Sequence, residues 1–551
     1  MRAFSLLVAA AAYPIAAAAG ARAAAVTHNE PTALAASCDA PFSVDPAGAF
    51  RDACGRARLF RGVNLVSKSP PYLPPRADAP GGASLSPTDT ALMVSLGMNA
   101  LRLGVMWSGV APAPGALNET LLAGLADLVR GAYADAGIVT LLDAHQDGLS
   151  PRFCDDGAPA WWAARWATGG ADAARGFPAP FDTPFAFNET TGLPLGDKCN
   201  TDVINWAEYY ATFAVGEGFD NLYNNATARA DFLAFWAAVV RAMAGVNGVL
   251  GYEIINEPWA GDALNNPLLM VPGVADAVNL EPFYAAVTAS LRAAEAAAGT
   301  APRVVFVEPV TWDNAFPAGF NASRAPWAGE RGRMAISHHF YALPDVFGAA
   351  ANIGARAADA ARLGSAAMLT EFDIGLVYPV VSPYTKFDLR ATLDAADAHG
   401  QGWLGWDMSA LYQGDATGAT IVTAAARELA RPAPLAIAGG DAVWAFDARD
   451  EARPVFYLNY TLDAAVAARA PTRIFASTGL WFAGAALHVA AESEPPGAVT
   501  WRVESHDGQV VAGPVTNTTR STRAAFAYAV VVVEAVAGAA SGARVRVRVG
   551  V

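Results

Sequence analysis

The chain has 551 residues, 54% of them hydrophobic and only 16% charged, which excludes a disordered protein and exceeds what one compact core holds. A net charge of −14 and a pI near 5.0 exclude the basic footprint of a nucleic-acid-binding protein, while leaving neutral sugars and lipids open as substrates.

The first residues, "MRAFSLLVAAAAYPIAAAAGARAAA", join an early Arg2 to an apolar run and small residues at a cleavage region. They read as a signal peptide over 1–25, cut between Gly20 and Ala25; Pro14 interrupts the run and argues against a membrane anchor. Asn-x-Ser/Thr triplets at Asn118, Asn188, Asn225, Asn321, Asn459 and Asn517 are glycosylation candidates and agree with export, although each triplet alone is common by chance. The expected location is outside the cell or in the endolysosomal lumen. The four cysteines fit no zinc spacing, and an oxidising compartment favours disulfides. Three pairings are open; the sequence-local one, Cys38–Cys54 with Cys154–Cys199, is preferred.

Eight short aliphatic runs follow, at 59–66, 100–106, 139–145, 250–258, 303–309, 334–341, 366–373 and 402–409. Between them lie Ala/Leu-rich stretches of helical period, among them 119–136, 231–245, 283–298, 346–363 and 387–399. Apolar strands alternating with helices indicate a parallel sheet covered on both faces, and eight units indicate a (β/α)8 TIM barrel. The barrel is expected over 40–434, with a long insertion at 146–249. From about 435 to 551 the runs become short and alternating, as in "ARVRVRVGV", which predicts a C-terminal antiparallel β-sandwich.

The strand tips are polar: Asn64, Arg102, Asp143 with His145, Asn256 with Glu257, Glu308, His339 with Tyr341, Glu371, and Trp406. Any one of these reads adequately as a helix cap; all of them at one end of a barrel do not. "GYEIINEPW" places Glu257 at the fourth tip and "LTEFD" places Glu371 at the seventh. Two carboxylates converging over a barrel mouth suit retaining glycoside hydrolysis, one as proton donor and one as nucleophile. Arg102, His339 and Tyr341 are placed to keep the nucleophile ionised, Asn256 to hold a sugar hydroxyl and Trp406 to lie under a pyranose ring.

Asn-Glu-Pro at strand four with Glu at strand seven resembles glycoside hydrolase family 5. "FRGVNLVSKSPPYLP", "LLDAHQDGLSPRFCDDGAPAWW", "VLGYEIINEPWAG", "GWDMS" and "RPAPLAIAG" resemble its endoglycoceramidase-related branch, over roughly 59–440. The resemblance implies a glycosphingolipid substrate cleaved between glycan and ceramide. It implies Glu257 as acid/base, Glu371 as nucleophile, and Asp143, His145, Asn256, Tyr341 and Trp406 around the sugar at the cleavage point. Lys68 matches a position contacting glycan further out, and Arg102 and His339 match the general family pattern. No metal or organic cofactor is implied, and a monomer is expected.

The chain departs from the family where Asp373 follows Glu371-Phe372 in place of glycine; this carboxylate either raises the nucleophile's pKa or faces the next helix. The aromatics of the insertion read singly as packing, and together as a groove for the chains of ceramide that also favours peripheral membrane contact. The runner-up is an exo-acting glucosylceramidase or steryl-glucosidase of the same family. A reading of another class is a non-catalytic glycolipid-binding protein.

Overall fold

The computed structural model describes Cys38 and residues 41–79, 82–196, 198–199, 206–311, 315–341, 347–374, 386–412, 424–483, 487–505, 510–511 and 527–551. The leader expected at 1–25 and the sequon at Asn517 lie outside the described residues.

Eight parallel strands close into a barrel. They are β1 (Arg61–Leu65), β2 (Ala100–Gly104), β3 (Val139–Asp143), β4 (Val249–Glu253), β5 (Val304–Val307), β6 (Met334–Phe340), β7 (Ala366–Phe372) and β8 (Gly402–Gly405). Seven fall inside the apolar runs and β4 begins one residue ahead of its run, because a strand buried on both faces has no polar alternation to misplace it. The helix predicted at 119–136 forms as Glu119–Ala136, with Asn118 capping its first turn and Gly137 closing it in the left-handed region. The helix read from 231 begins earlier, at Ala226, because Asn225 caps it. Gly62 is required by close packing: a Cβ there would stand 1.7 Å from the Ala100 carbonyl oxygen on β2.

Register carries the polar residues to one end. Asn64 pairs with Arg102, Gly104 with Asp143, and Asp143 with Glu253. Between β6 and β7 the pairing slips between Leu369 and Glu371, so that Glu371 pairs with His339. A local slip of this kind re-aims a side chain while leaving the ladder on either side intact.

The opposite end of the barrel is plugged. Phe42, Val44 and Phe50 pack with Phe60 against barrel residues that include Val139, Leu250 and Phe306. Phe50 stacks on Phe306 at 5.8 Å and meets Phe60 edge-on at 5.4 Å. Cys38 is bonded to Cys54, which ties down the segment that delivers these rings.

The sequence places residues from 40 onward with the barrel, but the strands Ser43–Val44, Phe50–Arg51 and Ala57–Arg58 join another sheet. There they run antiparallel and continue through Ala433–Ile437 to Thr472–Ser477, Tyr528–Ala535 and Val499–Ser505. Ala433–Ile437 thus crosses the expected boundary at 434. A second antiparallel sheet holds Gly439–Asp447, Val455–Leu462, Arg544–Gly550 and His488–Glu494. Ile474, Val503 and Val531 of the first share an apolar cluster with Phe456, Leu458 and Val547 of the second. The N-terminal segment is therefore shared: its strands extend this sheet while its phenylalanines close the barrel floor. Alternation could not reveal this, since strands of two residues carry no period.

Cys154 is bonded to Cys199 across a separation of 45 residues within the insertion. Closing a loop of that length removes about 4 kcal/mol of chain entropy from the unfolded state.

Phe50→Ala is expected to lower stability by about 3–5 kcal/mol, because it opens a cavity in the packed floor of the barrel. Urea unfolding followed by circular dichroism measures this; a loss below about 1 kcal/mol would show that the floor collapses around the gap.

Candidate active site

The site is built around Arg102, which leaves β2 fully buried. Its Nε donates to Glu253, its Nη1 to Glu371 Oε1 and Asn64 Oδ1 (3.0 Å), and its Nη2 to Asn256 Oδ1 (2.8 Å), with Asp143 Oδ2 3.1 Å from Nη2. Burial works against a guanidinium's charge, but Asp143, Glu253 and Glu371 outweigh it and hold the group firmly cationic. Asn64 is fixed in turn by donating to the Thr370, Leu404 and Gly405 carbonyls, which ties β1 to β7 and β8.

Asp143 faces a second cation. His145 Nδ1 lies 2.7 Å from Asp143 Oδ2, and although burial opposes its charge, Asp143 lifts the imidazole to about 10. The His145 ring stacks on Trp406 at 5.5 Å. Lys68 extends over the same indole and pairs with Asp147, with Asp156 at 3.3 Å. Gln146, between these groups, donates to the carbonyls of Asn256 (2.7 Å) and Glu257 (2.9 Å) and thereby sets the backbone that presents the acid.

Glu257 adopts φ +39°, a left-handed conformation that costs a residue with a Cβ about 1–3 kcal/mol and persists only where its surroundings enforce it. Its N–H donates to Glu308 Oε2 at 2.8 Å, and its Oε1 lies 2.8 Å from His339 Nδ1. Burial, reinforced by Asp147 and opposed by His145, Lys68 and Arg102, raises this carboxyl to about 7.

Glu371 has different company. Besides Arg102 it accepts from the Tyr341 hydroxyl at 2.8 Å. Burial pushes it upward, and Glu257 adds to that, while His339 and Arg102 favour its ionised form. Burial also keeps the Tyr341 phenol protonated and hence a donor. One oxygen of Glu257, one of Glu371 and a nitrogen of His339 all lie within 4.8 Å of one another. Such a pair fits a retaining geometry of about 5–5.5 Å and leaves no room for the water of an inverting one, which needs about 6.5–9.5 Å.

All ten residues read from the sequence are placed at this end: Glu257 and Glu371, with Lys68, Arg102, Asp143, His145, Asn256, His339, Tyr341 and Trp406. Asp373 bridges to Trp406 just past β8, and Glu257 is a carboxylate that raises Glu371. Glu253, Gln146, Asp147 and Asp156 belong to the same network without having been read as site residues. A charged residue inside the apolar run "LGYEII" was the available signal for Glu253.

The insertion does not expose its aromatics as a groove. Trp162, Phe177 and Tyr209 are buried, and Phe177 packs on Phe153 and Tyr209 at 5.0 and 5.1 Å. Its aromatics pack within the insertion and against Trp107, Trp259 and Phe283 outside it, while Phe181 stays exposed. Exposed apolar residues gather instead in the loops after β4, β5 and β6: Leu268 (68% exposed), Met270, Val271, Phe316 and Phe347 (60%). This lobe adjoins the mouth, since the Thr311 N–H donates to the Pro258 carbonyl beside Glu257.

Against this geometry, the pattern of the cellulase family (glycosyl hydrolase family 5) matches residues 199–411, which hold both glutamates. The chain carries a glycosyl hydrolase family 5 domain over these residues. Within the family it is similar to an endoglycoceramidase of Cyanea nozakii, 37% identical over 64% of this chain and 66% of the relative. An endoglycoceramidase of Hydra vulgaris is 36% identical over 64% of each chain. The match thus spans just under two thirds of the length of either relative. The fold is that of endo-glycoceramidase II from Rhodococcus sp., solved as a lactosyl-enzyme intermediate (TM-score 0.62, 21% identity, 93% of this chain and 99% of that one).

Arg102→Met is expected to destabilise the protein by about 3–5 kcal/mol, because it strands three buried carboxylates without their cation. Arg102→Lys restores the charge but not the five-donor fork and is expected to fall between. Chemical denaturation of both variants beside the parent ranks them; equal stability of Met and Lys variants would show that charge is not what Arg102 supplies.

Proposed function

We propose that this protein is a retaining glycosidase that cleaves the bond between glycan and ceramide in glycosphingolipids. The observation that carries the chemistry is the close pair, Glu257 and Glu371, one raised to about 7 and the other held by an arginine and a tyrosine. In this reading Glu257 protonates the leaving oxygen while Glu371 attacks the anomeric carbon, giving a glycosyl-enzyme ester. Esterification removes the charge of Glu371, so Glu257 loses a like-charged neighbour and more readily takes the base role toward water. Asn256, fixed through its oxygen by Arg102 and through its nitrogen by the Gln146 carbonyl, stands where a hydroxyl of the reacting sugar binds. His145 and Lys68 bracket Trp406, under the sugar.

The substrate class rests on the likeness to endoglycoceramidases, whose Rhodococcus representative holds a lactosyl group on the enzyme. The apolar lobe of Leu268, Met270, Val271, Phe316 and Phe347 supports an acyl-chain partner and a peripheral contact with a lipid surface, in place of the insertion. Two disulfides favour an oxidising compartment, so we place the enzyme outside the cell or in the endolysosomal lumen, as a monomer. Asn188, Asn321 and Asn459 are exposed and suit glycosylation, whereas the side chains of Asn118 and Asn225 cap helices.

Lactosylceramide, glucosylceramide and a ganglioside incubated with the protein are expected to give intact glycan plus ceramide from the longer substrates, read by mass spectrometry; glucose alone, from glucosylceramide alone, would instead mark an exo-acting enzyme. Glu371→Ser is expected to lower turnover at least about 1,000-fold without loss of fold. Glu257→Gln should slow glycolipid far more than an activated aryl glycoside, whose leaving group needs no proton; equal losses would remove Glu257 from the acid role. Because Glu257 acts while protonated, turnover should decline as pH rises through about 7.

A further inference from the structure

A third carboxyl stands behind the pair and is unused by the reaction described. Glu308 follows β5, is fully buried, and forms no ion pair with an arginine or lysine among the described residues. Its Oε2 accepts the N–H of Glu257 at 2.8 Å. Its Oε1 has no hydrogen-bond partner and lies 3.5 Å from His339 Nδ1. That same nitrogen is 2.8 Å from Glu257 Oε1 and 3.6 Å from Glu371 Oε2. The Tyr284 hydroxyl donates to the Glu308 carbonyl at 2.6 Å and anchors the residue from the helix Glu281–Ala298.

We propose that Glu308 is the positioning residue of the acid/base: Oε2 holds the backbone of Glu257 in its left-handed turn, and Oε1 stands at the imidazole that Glu257 shares with Glu371. The inference rests on the glycosidase reading and deepens it.

Three observations carry the assignment. The φ of +39° at Glu257 needs an external hold, and the hydrogen bond from its own N–H to Glu308 supplies one at the residue concerned. The one guanidinium in the nest, Arg102, is occupied by Asp143, Glu253 and Glu371. Glu308 therefore faces Glu253, Glu257 and the His339 imidazole with no cation of its own, and burial together with Glu257 and Glu253 drives its carboxyl well upward, into the neutral form. A neutral carboxyl accepts from an amide as a carboxylate does, yet adds no charge beside the acid. With no charge at 308, Glu257 is raised by burial and Asp147.

Glu308→Gln and Glu308→Ala, each checked for fold by thermal melting, separate the parts of this claim. Gln keeps a neutral acceptor for the Glu257 N–H, so its kcat on glycolipid should fall less than about tenfold, with the basic limb of the pH profile in place. Ala removes the hold and should cost about 100-fold in kcat, with a smaller loss on an activated aryl glycoside. If Ala matches the wild type, or if Gln is as damaging as Ala, Glu308 does not position Glu257. A basic limb displaced downward by a unit or more in the Gln variant would mean a charged Glu308 and overturn its neutral role. If Ala fails to fold, the Gln profile alone decides. A wild type that hydrolyses no glycoside would overturn the glycosidase reading and this inference with it, whereas an active wild type beside unaffected variants overturns only the inference.

Discussion

Everything at the mouth of this barrel depends on one buried guanidinium. Arg102 contacts three carboxylates from three other strands, and none of the four groups is exposed enough to be solvated by water. Burying such charges is costly unless each is paired and hydrogen-bonded, and Arg102 meets that condition by spending every face of its fork. His145, drawn to about 10 by Asp143, adds a second positive charge to the same nest. Together the two cations favour ionised carboxylates inside the protein.

From that arrangement the two facing glutamates, Glu257 and Glu371, acquire different surroundings, although both are buried and one oxygen of each lies within 4.8 Å of the other. Glu371 is tied directly to Arg102 and to the Tyr341 hydroxyl, which favour its charge. Glu257 is tied to the His339 imidazole and, through its backbone, to Glu308, and burial reinforced by Asp147 raises its carboxyl. The difference between the two carboxyls is thus set by neighbours: identical side chains differ by which strand tip faces them.

The rest of the fold protects this geometry. The floor of the barrel is sealed by phenylalanines carried on a segment whose strands belong to the adjoining antiparallel sheet, so the N-terminal and C-terminal parts of the chain hold the barrel jointly. The insertion is a largely packed, disulfide-stapled body, and the loops after β4, β5 and β6 gather Leu268, Met270, Val271, Phe316 and Phe347 at the surface. Rigid support on one side of the mouth and an apolar lobe on the other suit a substrate with a polar and a greasy end.

The sequence by itself determined the barrel, since eight apolar runs separated by helical stretches have one economical closure. It also determined Glu257 and Glu371, because a carboxylate at the end of an apolar strand announces itself. Their polar partners were legible too, being strand-end residues of types that recur in the family pattern. Only the tertiary structure decided what has no local signal. Glu308 was legible as a polar strand tip and Glu253 as a charge inside an apolar run, but which groups they meet appears only when Arg102 and the backbone of Glu257 arrive from other strands. The short strands at 43–58 carry no periodicity, so their sheet is chosen by partners nearly 400 residues away. The insertion's aromatics have the same composition whether buried or exposed, and composition cannot say which way a ring faces. Local pattern fixes what a segment becomes; burial, charge pairing and exposure are properties of segments that meet.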